Sequence, residues 1–179
     1  MEKQIIIING TGGSEKDTFV DFCSKYGKVV NFSSIDKVKE IARLIGWDGQ
    51  KTEKDRKFLS DLKRLTTDYN DMAFNSITDS VAQFESSDNE ILFIHIREPE
   101  EIQRAASIFK AKTLLVKRVG LSNIQTNYSD ANVDNYPYDY IIENTTLEEL
   151  DSNALYFVNQ IKNNKQKELI KSLREVGND

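Results

Sequence analysis

Apolar residues occur along this chain in two patterns, short runs and spaced positions with a helical period. Runs at 5–8, 90–96 and 113–116 predict strands buried on both faces, as in the centre of a parallel sheet. Shorter stretches at 28–33 and 138–142 predict a second and a fifth strand. Because helical segments separate these strands, the sequence predicts an α/β fold with a five-stranded parallel sheet and right-handed crossovers.

Each predicted helix has an apolar face formed by residues three or four positions apart. Ser33 and Ser34 are expected to cap the second helix, and Gly46 is expected to end it. Residues 163–179 are mostly charged and predict a peripheral helix or a frayed tail. The predicted faces contain Phe19, Phe22 and Cys23; Ile35, Val38, Ile41, Ala42 and Ile45; Phe58, Leu59, Leu62 and Leu65; Ala73, Ile77, Val81 and Phe84; Ile102, Ala105, Ala106 and Phe109; and Leu147, Leu150, Val158 and Ile161.

Two segments are longer than simple connections between strands. Residues 46–88 contain two amphipathic helices, which predict a helical insertion that covers the sheet. Residues 119–137 are polar and rich in Asn, Asp and Ser, and a loop of this length is usually a functional lid or disordered. By length, residues 1–179 are expected to form a single domain.

The first predicted strand leads directly into a glycine-rich loop, Gly10-Thr11-Gly12-Gly13-Ser14-Glu15-Lys16-Asp17-Thr18, and then into a helix. This context is typical of phosphate-binding loops, in which backbone N–H groups and the helix N-terminus bind an anion and a lysine reaches the outer phosphates. Against the pattern GxxxxGK[ST], Gly10 and Lys16 are in register. Glu15, however, replaces the second glycine and Asp17 replaces the hydroxyl residue. The alternative interpretation is a plain tight turn between strand and helix.

Charged residues follow the predicted strands, where ligands of parallel sheets bind. Arg97 is expected to contact a phosphate, with a salt bridge to Glu98 or Glu101 as the alternative. Lys117 and Arg118 are expected to approach the transferred group from the fourth strand, or else to form a solvated strand end. Within the third strand, His95 is interpreted as a packed, hydrogen-bonded core residue.

Several further residues are candidates for binding. Asp17 or Thr18 would face a magnesium ion directly or through water, although both residue types are also common at helix N-termini. In the predicted insertion, Arg56 is a candidate for a substrate phosphate. Trp47 and Asp48 are candidates for an acceptor pocket, although a single tryptophan is more often part of a core.

Composition narrows the function classes. A net charge of −5 argues against wrapping duplex nucleic acid. One cysteine and one histidine exclude a zinc site in practice and allow no internal disulfide. No apolar run of about 18 residues and no N-terminal leader pattern are present, so we expect no membrane partner and a cytoplasmic location. Oligomeric state is not predicted.

Four short motifs carry a resemblance to a known family: Lys16-Asp17-Thr18, Trp47-Asp48-Gly49 leading to 55–59, Arg97-Glu98-Pro99, and Asn144-Thr145-Thr146-Leu147. With these motifs and its strand order, the chain resembles P-loop kinases of the nucleoside monophosphate kinase group, in particular the deoxynucleoside monophosphate kinase and phosphomevalonate kinase branch. The resemblance implies that ATP and Mg²⁺ bind at the loop, including Gly10, Gly12, Gly13, Ser14 and Glu15. It also implies that Asn144, Thr145 and Thr146 pack on the adenine base.

The same resemblance implies that the inserted helices bind the acceptor phosphate and that Lys16, Arg97 and Arg118 surround the transferred group. We therefore expect a kinase that phosphorylates a small phosphorylated acceptor, most simply a (deoxy)nucleoside monophosphate. The alternatives are a kinase for another phosphorylated metabolite and a P-loop protein that binds nucleotide without efficient turnover. Glu15 favours the last alternative, as does the absence after the third strand of the aspartate common in nucleotide kinases.

Overall fold

The computed structural model describes residues 3–120 and 133–176, with side chains as far as 163. Its sheet contains five parallel strands in the order β2-β3-β1-β4-β5. The strands are β1 (Gln4–Asn9), β2 (Val29–Ser33), β3 (Ile91–His95), β4 (Lys112–Arg118) and β5 (Tyr140–Asn144). The helices are α1 (Lys16–Cys23), α2 (Asp36–Leu44), α3 (Glu53–Asn70), α4 (Met72–Ser86), α5 (Pro99–Phe109) and α6 (Leu147–Val176), and a 3₁₀ turn spans Val133–Asn135.

Two hydrophobic cores lie on the two faces of the sheet, as expected for a parallel sheet covered on both sides. On one face, α1 and α6 pack together over Ile6, Ile8 and Phe93. On the other face, α4 and α5 cover Ile7 and Leu92. Consecutive residues of β1 therefore enter different cores, which is why this strand shows no polar alternation.

The five predicted strands are confirmed, with shifted ends. β4 extends to Arg118 because Lys117 and Arg118 pair in register with Glu143 and Asn144 of β5. β5 begins at Tyr140 instead of 138, since the Asp139 carboxylate accepts hydrogen bonds from the backbone N–H and the hydroxyl of Thr113. The bonds made by Asp139 align the beginning of β5 with β4.

Some predicted core positions are wrong. Ile45, Leu65 and Leu147 are 65%, 67% and 50% exposed. For α3 the reason is its packing partner: this helix lies mainly on α2 and α4 instead of on the sheet, and none of its residues is fully buried. The predicted serine cap of α2 is also wrong, because the Ser34 hydroxyl donates to the carbonyl oxygen of His95.

The predicted end of α2 at Gly46 is confirmed, and residues typical of helix starts begin α5 and α3. Pro99 is the first residue of α5, and Gly46 follows the end of α2 with a φ of +103°. Thr52 and Asp55 form a reciprocal capping box at the start of α3. The charged C-terminal segment continues α6 as a helix to Val176. Of the helices described in the structure, none combines the length and apolar character that crossing a membrane requires.

Candidate functional site

The glycine-rich loop joins the end of β1 to the first residue of α1, Lys16. Gly10 is buried, and a Cβ atom there would lie 2.4 Å from Ser14 Oγ and 2.6 Å from the carbonyl oxygen of Val116. Real Cβ contacts are longer than this, so only glycine fits. The loop therefore begins in close contact with β4.

Glu15 adopts the left-handed conformation, with φ 64° and ψ 26°. This region favours glycine, because the Cβ of other residues approaches the backbone. The Glu15 carboxylate accepts a hydrogen bond from the Thr18 hydroxyl at 2.8 Å and pairs with Arg118 at 3.1 Å. The loop thus keeps a backbone shape suited to glycine while a charged side chain bridges α1 and β4.

The remaining loop positions differ in how tightly they are packed. Gly12 is exposed, and a Cβ there would meet nothing within 4 Å. Gly13 has a φ of 76°, which explains the need for glycine at this position. Ser14 is 1% exposed and its hydroxyl has no hydrogen-bond partner among the described residues. The hydroxyl lies against Gly10.

Asn9 anchors the start of the loop. Its Oδ1 accepts a hydrogen bond from the Gly10 N–H at 2.8 Å, and its Nδ2 donates to the carbonyl oxygen of Arg97 at 3.2 Å and to the hydroxyl of Tyr138 at 2.8 Å. The Tyr138 hydroxyl in turn donates to the carbonyl oxygen of Val133. One buried amide therefore connects the loop with the segments after β3 and before β5.

His95 lies between β2 and α1. Its Nε2 bonds Asn31 Oδ1 at 2.7 Å, and its Nδ1 is 3.7 Å from an oxygen of Asp17. Burial is the main cause that lowers the pKa of His95 to about 4, so the ring is neutral at pH 7 and the Asp17 contact is not an ion pair. Nearby charges act in both directions on this pKa: Asp17 and Asp36 raise it, whereas Lys16 and Lys39 lower it.

An ionic cluster lies directly after β3. Lys63 of α3 lies 2.8 Å from both Glu98 and Glu101, and only 14% of its side chain is exposed. Burial alone would raise the pKa of Glu98, but the Lys63 ammonium holds it below the usual range. Burial raises the pKa of Glu101, which shares the same lysine. Lys63 is therefore part of a half-buried ionic cluster and not of a solvated helix face.

Lys117 and Arg118 both form ion pairs at the end of β4. The Lys117 ammonium lies 2.6 Å from the carboxylate of Asp134, which belongs to the 3₁₀ turn Val133–Asn135. Arg118 pairs with Glu15. Both side chains remain partly exposed, at 38% and 40%. Most of the predicted lid, residues 121–132, lies outside the described residues, so the lid stays a prediction.

Asn144, Thr145 and Thr146 connect the end of β5 to α6. Asn144 is buried and its Nδ2 donates to the carbonyl oxygen of Lys117 at 2.8 Å. The backbone N–H and hydroxyl of Thr145 donate to Glu149, whereas the Thr146 hydroxyl accepts from the Glu149 N–H. This is a helix-capping arrangement that fixes the connection beside the end of β4.

The candidate binding residues of the predicted insertion form hydrogen bonds within the insertion itself. Trp47 Nε1 donates to the carbonyl oxygen of Gln50, and Asp48 accepts from the N–H of the same residue. Arg56 is exposed and donates to the carbonyl oxygen of Lys51. These hydrogen bonds are local, so an acceptor-binding role for the three residues stays a prediction.

A magnesium ion would find oxygen ligands at the start of α1. The Asp17 carboxylate is 76% exposed, and Thr18, with its hydroxyl, is the next residue of α1. The described residues contain no group of three or more His, Cys, Asp and Glu side chains suited to hold a metal. One carboxylate and a hydroxyl nevertheless fit Mg²⁺, which keeps several waters and is completed by substrate phosphates.

Sequence reasoning missed Asn9, Lys63, Asp134 and Tyr138 as parts of this region. Asn9 gave a signal, since it is a polar residue directly after four isoleucines and before the loop. The others form contacts across large sequence separations, such as the 129 positions between Asn9 and Tyr138. Nothing in the local sequence marks such partners.

Fold and loop together define an α/β protein with a glycine-rich loop between its first strand and first helix, and the predicted fold class is confirmed. The protein TT1252 from Thermus thermophilus has a similar structure, with a TM-score of 0.54 and 17% identity over 88% of this chain and 97% of that one. A Chloroflexus aurantiacus protein described as a candidate kinase matches with a TM-score of 0.55 and 14% identity, over 92% of this chain and 97% of that one. No protein-family model and no curated protein matches the sequence.

Proposed function

We propose that this protein is an ATP-dependent phosphotransferase that moves the γ-phosphoryl group of ATP to a small phosphorylated acceptor, with a (deoxy)nucleoside monophosphate as the acceptor. The observation that carries the proposal is the loop itself. Gly10, which packing requires to be glycine, directly follows the buried central strand β1, and Lys16 begins the helix after the loop. The similar Chloroflexus structure, described as a candidate kinase, supports the same class of activity.

The proposed reaction needs positioning and charge neutralisation more than covalent chemistry from the protein. An acceptor phosphate oxygen forms the new bond to the γ-phosphorus as the bond to the β,γ-bridging oxygen breaks, and ADP leaves. Loop N–H groups and Lys16 hold the phosphates, and Arg97, Lys117 and Arg118 offset the negative charge. Asp17 or Thr18 would hold Mg²⁺, directly or through water, and the ion would supply further positive charge at the phosphates.

Base and acceptor binding are assigned to the edges of this site. Residues 144–146 contact the adenine base beside the end of β4. The segment 46–88, with Trp47, Asp48 and Arg56, binds the acceptor, and 119–137 closes over the phosphates as a lid. The capping contacts around Asn144 support the first assignment, because they fix that connection close to Lys117.

The test is calorimetric titration of the protein with MgATP, followed by turnover assays on a panel of nucleoside monophosphates and other small phosphate esters. Lys16→Ala should weaken MgATP binding at least about tenfold, because it removes a charge that contacts the outer phosphates. Lys28→Ala is the matched control, since Lys28 precedes β2 at the opposite edge of the sheet and pairs with Asp88. Equal binding by wild type and Lys16→Ala would contradict the proposal.

A second candidate function is nucleotide binding without turnover, for regulation or assembly. Glu15 favours this candidate, because its carboxylate accepts a hydrogen bond from Thr18 and forms an ion pair with Arg118, and a kinase would use both of these residues. This candidate predicts MgATP binding that depends on Lys16 but no phosphorylation of any acceptor in the panel. The same assays therefore separate the two functions.

A further inference from the structure

Glu15 links two elements that meet at the carboxyl edge of the sheet. Its Oε2 accepts a hydrogen bond from the hydroxyl of Thr18 in α1, and its Oε1 lies 3.1 Å from Nη1 of Arg118, the last residue of β4. Contact between the loop and β4 is close at this edge, as the fit of Gly10 against Val116 shows. One carboxylate thus holds a hydroxyl and a guanidinium at the mouth of the loop.

The backbone of Glu15 indicates that this arrangement is maintained by its contacts. A non-glycine residue in the left-handed region is strained, and such strain persists only where the surroundings impose it. The Glu15 carboxylate forms such contacts with Thr18 and Arg118. The carboxylate is partly exposed, at 31%, so an anion entering from solvent can reach the same partners.

Carboxylate and phosphate oxygens are interchangeable partners for these two groups. A guanidinium binds either anion, with two parallel hydrogen bonds where geometry allows, and a hydroxyl donates to either. We propose that the Glu15 carboxylate holds Arg118 and Thr18 in the nucleotide-free protein, and that the phosphates of bound nucleotide replace it as the partner of both. This inference rests on the proposed nucleotide binding at the loop.

Two consequences follow from such an exchange. Nucleotide affinity is lowered by the cost of breaking the Glu15–Arg118 pair, and Arg118 changes partner only when phosphates are bound. The pair is partly exposed on both sides, 31% and 40%, so the cost is modest. For ion pairs of this kind the expected reduction in affinity is about fivefold.

The test is a double-mutant cycle on MgATP binding, measured by calorimetry with wild type, Glu15→Gln, Arg118→Met and the double variant. Glutamine keeps an acceptor for Thr18 but removes the charge. Glu15→Gln should tighten MgATP binding about fivefold in the wild-type background. In the Arg118→Met background the gain should be clearly smaller, because no pair remains to be broken. Asp88→Asn is the charge-matched control on the opposite edge of the sheet, and it should leave binding unchanged.

Three outcomes would overturn the inference. An equal or larger gain in the Arg118→Met background would mean that Glu15 only repels phosphate and that Arg118 keeps its partner. Weaker binding by Glu15→Gln would mean that the carboxylate supports the nucleotide-bound state. If all four proteins fold, as judged by thermal unfolding, and none binds MgATP, the proposed function fails together with the inference. The first two results would contradict the inference alone.

Discussion

A methyl group on Gly10 would lie 2.6 Å from the Val116 carbonyl oxygen, whereas a methyl group on Gly12 would meet no atom within 4 Å. The two glycines belong to the same loop. Comparing an alanine substitution at each position therefore separates the effect of a steric clash from the effect of losing a loop glycine. At Gly10 the clash involves the backbone of β4, which cannot rotate away as a flexible side chain can. Of these two positions, Gly10 is therefore the one at which packing requires glycine.

Gly10→Ala should lower the free energy of unfolding by about 2 kcal/mol, because overpacking of a close contact forces the loop or β4 to shift. Gly12→Ala should change it by less than about 0.5 kcal/mol. Urea denaturation monitored by circular dichroism measures both values. Equal losses for the two variants would show that the loop does not lie against β4 as described.

Lys110, like Glu15, is a non-glycine residue with a backbone conformation that favours glycine. It ends α5 in the left-handed conformation, with φ 51°, and its side chain is exposed. Glycine is the usual residue at such helix ends, so Lys110→Gly should raise the free energy of unfolding by about 0.5–1 kcal/mol. Lys54→Gly, within α3, is the control and should lower it by a similar amount. A loss of stability in Lys110→Gly would argue against the left-handed end of α5.

At the scale of elements, the ionic cluster of Lys63, Glu98 and Glu101 attaches α3 to the start of α5. The helices themselves were predictable, because apolar periodicity and local capping signals such as Thr52 and Asp55 are properties of short segments. The cluster was not, since its members are 35 and 38 positions apart and a lysine on an amphipathic helix is usually solvated. The exposure of Leu65 has the same origin, because only tertiary packing decides which face of α3 is covered.

The two carboxylates of this cluster should respond differently to neutralisation. Glu98 has a lowered pKa, so its ionised form is favoured in the fold. Glu98→Gln should cost about 1–2 kcal/mol at pH 7, because solvent partly screens a side chain that is 35% exposed. The pKa of Glu101 is raised, so Glu101→Gln should cost less than about 1 kcal/mol. Urea denaturation of both variants at pH 7 compares them directly.

The pH dependence provides the check on this difference. A carboxyl group whose pKa is lowered by folding stabilises the protein above its unfolded pKa, and this contribution disappears as the pH falls through the folded value. The advantage of wild type over Glu98→Gln should therefore shrink as the pH falls below 4.5, the ordinary pKa of a glutamate carboxyl group. Equal costs for the two variants at pH 7 would mean that Lys63 does not distinguish between its partners.

At the scale of the whole molecule, the sheet order β2-β3-β1-β4-β5 brings β3 and β4 to either side of β1 and its loop. The number of strands and their parallel direction follow from apolar runs separated by helices. Their order does not, because it depends on pairings such as Ile8 with both His95 and Leu114, which are far apart in sequence. For the same reason, the loop with Gly10 and Lys16 was readable from sequence, whereas the contact of Glu15 with Arg118 was not.

His95 connects this central region, since its ring lies between Asn31 of β2 and Asp17 of α1. Its pKa is lowered to about 4 in the fold, mainly by burial, from its ordinary value of 6.5. The unfolded chain therefore binds more protons than the folded protein between these two pH values, and stability is lost as the pH falls through that window. Above about pH 6.5 the contribution is fully present.

Between pH 7 and pH 5, protonation of His95 in the unfolded chain should lower the free energy of unfolding of the whole protein by about 2 kcal/mol. His95→Gln removes the titrating group and keeps a side chain that can bond Asn31, so its stability should change much less over the same range. Urea denaturation of both proteins at intervals of half a pH unit measures the difference. Parallel pH profiles would mean that the ring takes up a proton in the fold, and the Asp17 contact would then be an ion pair in mild acid.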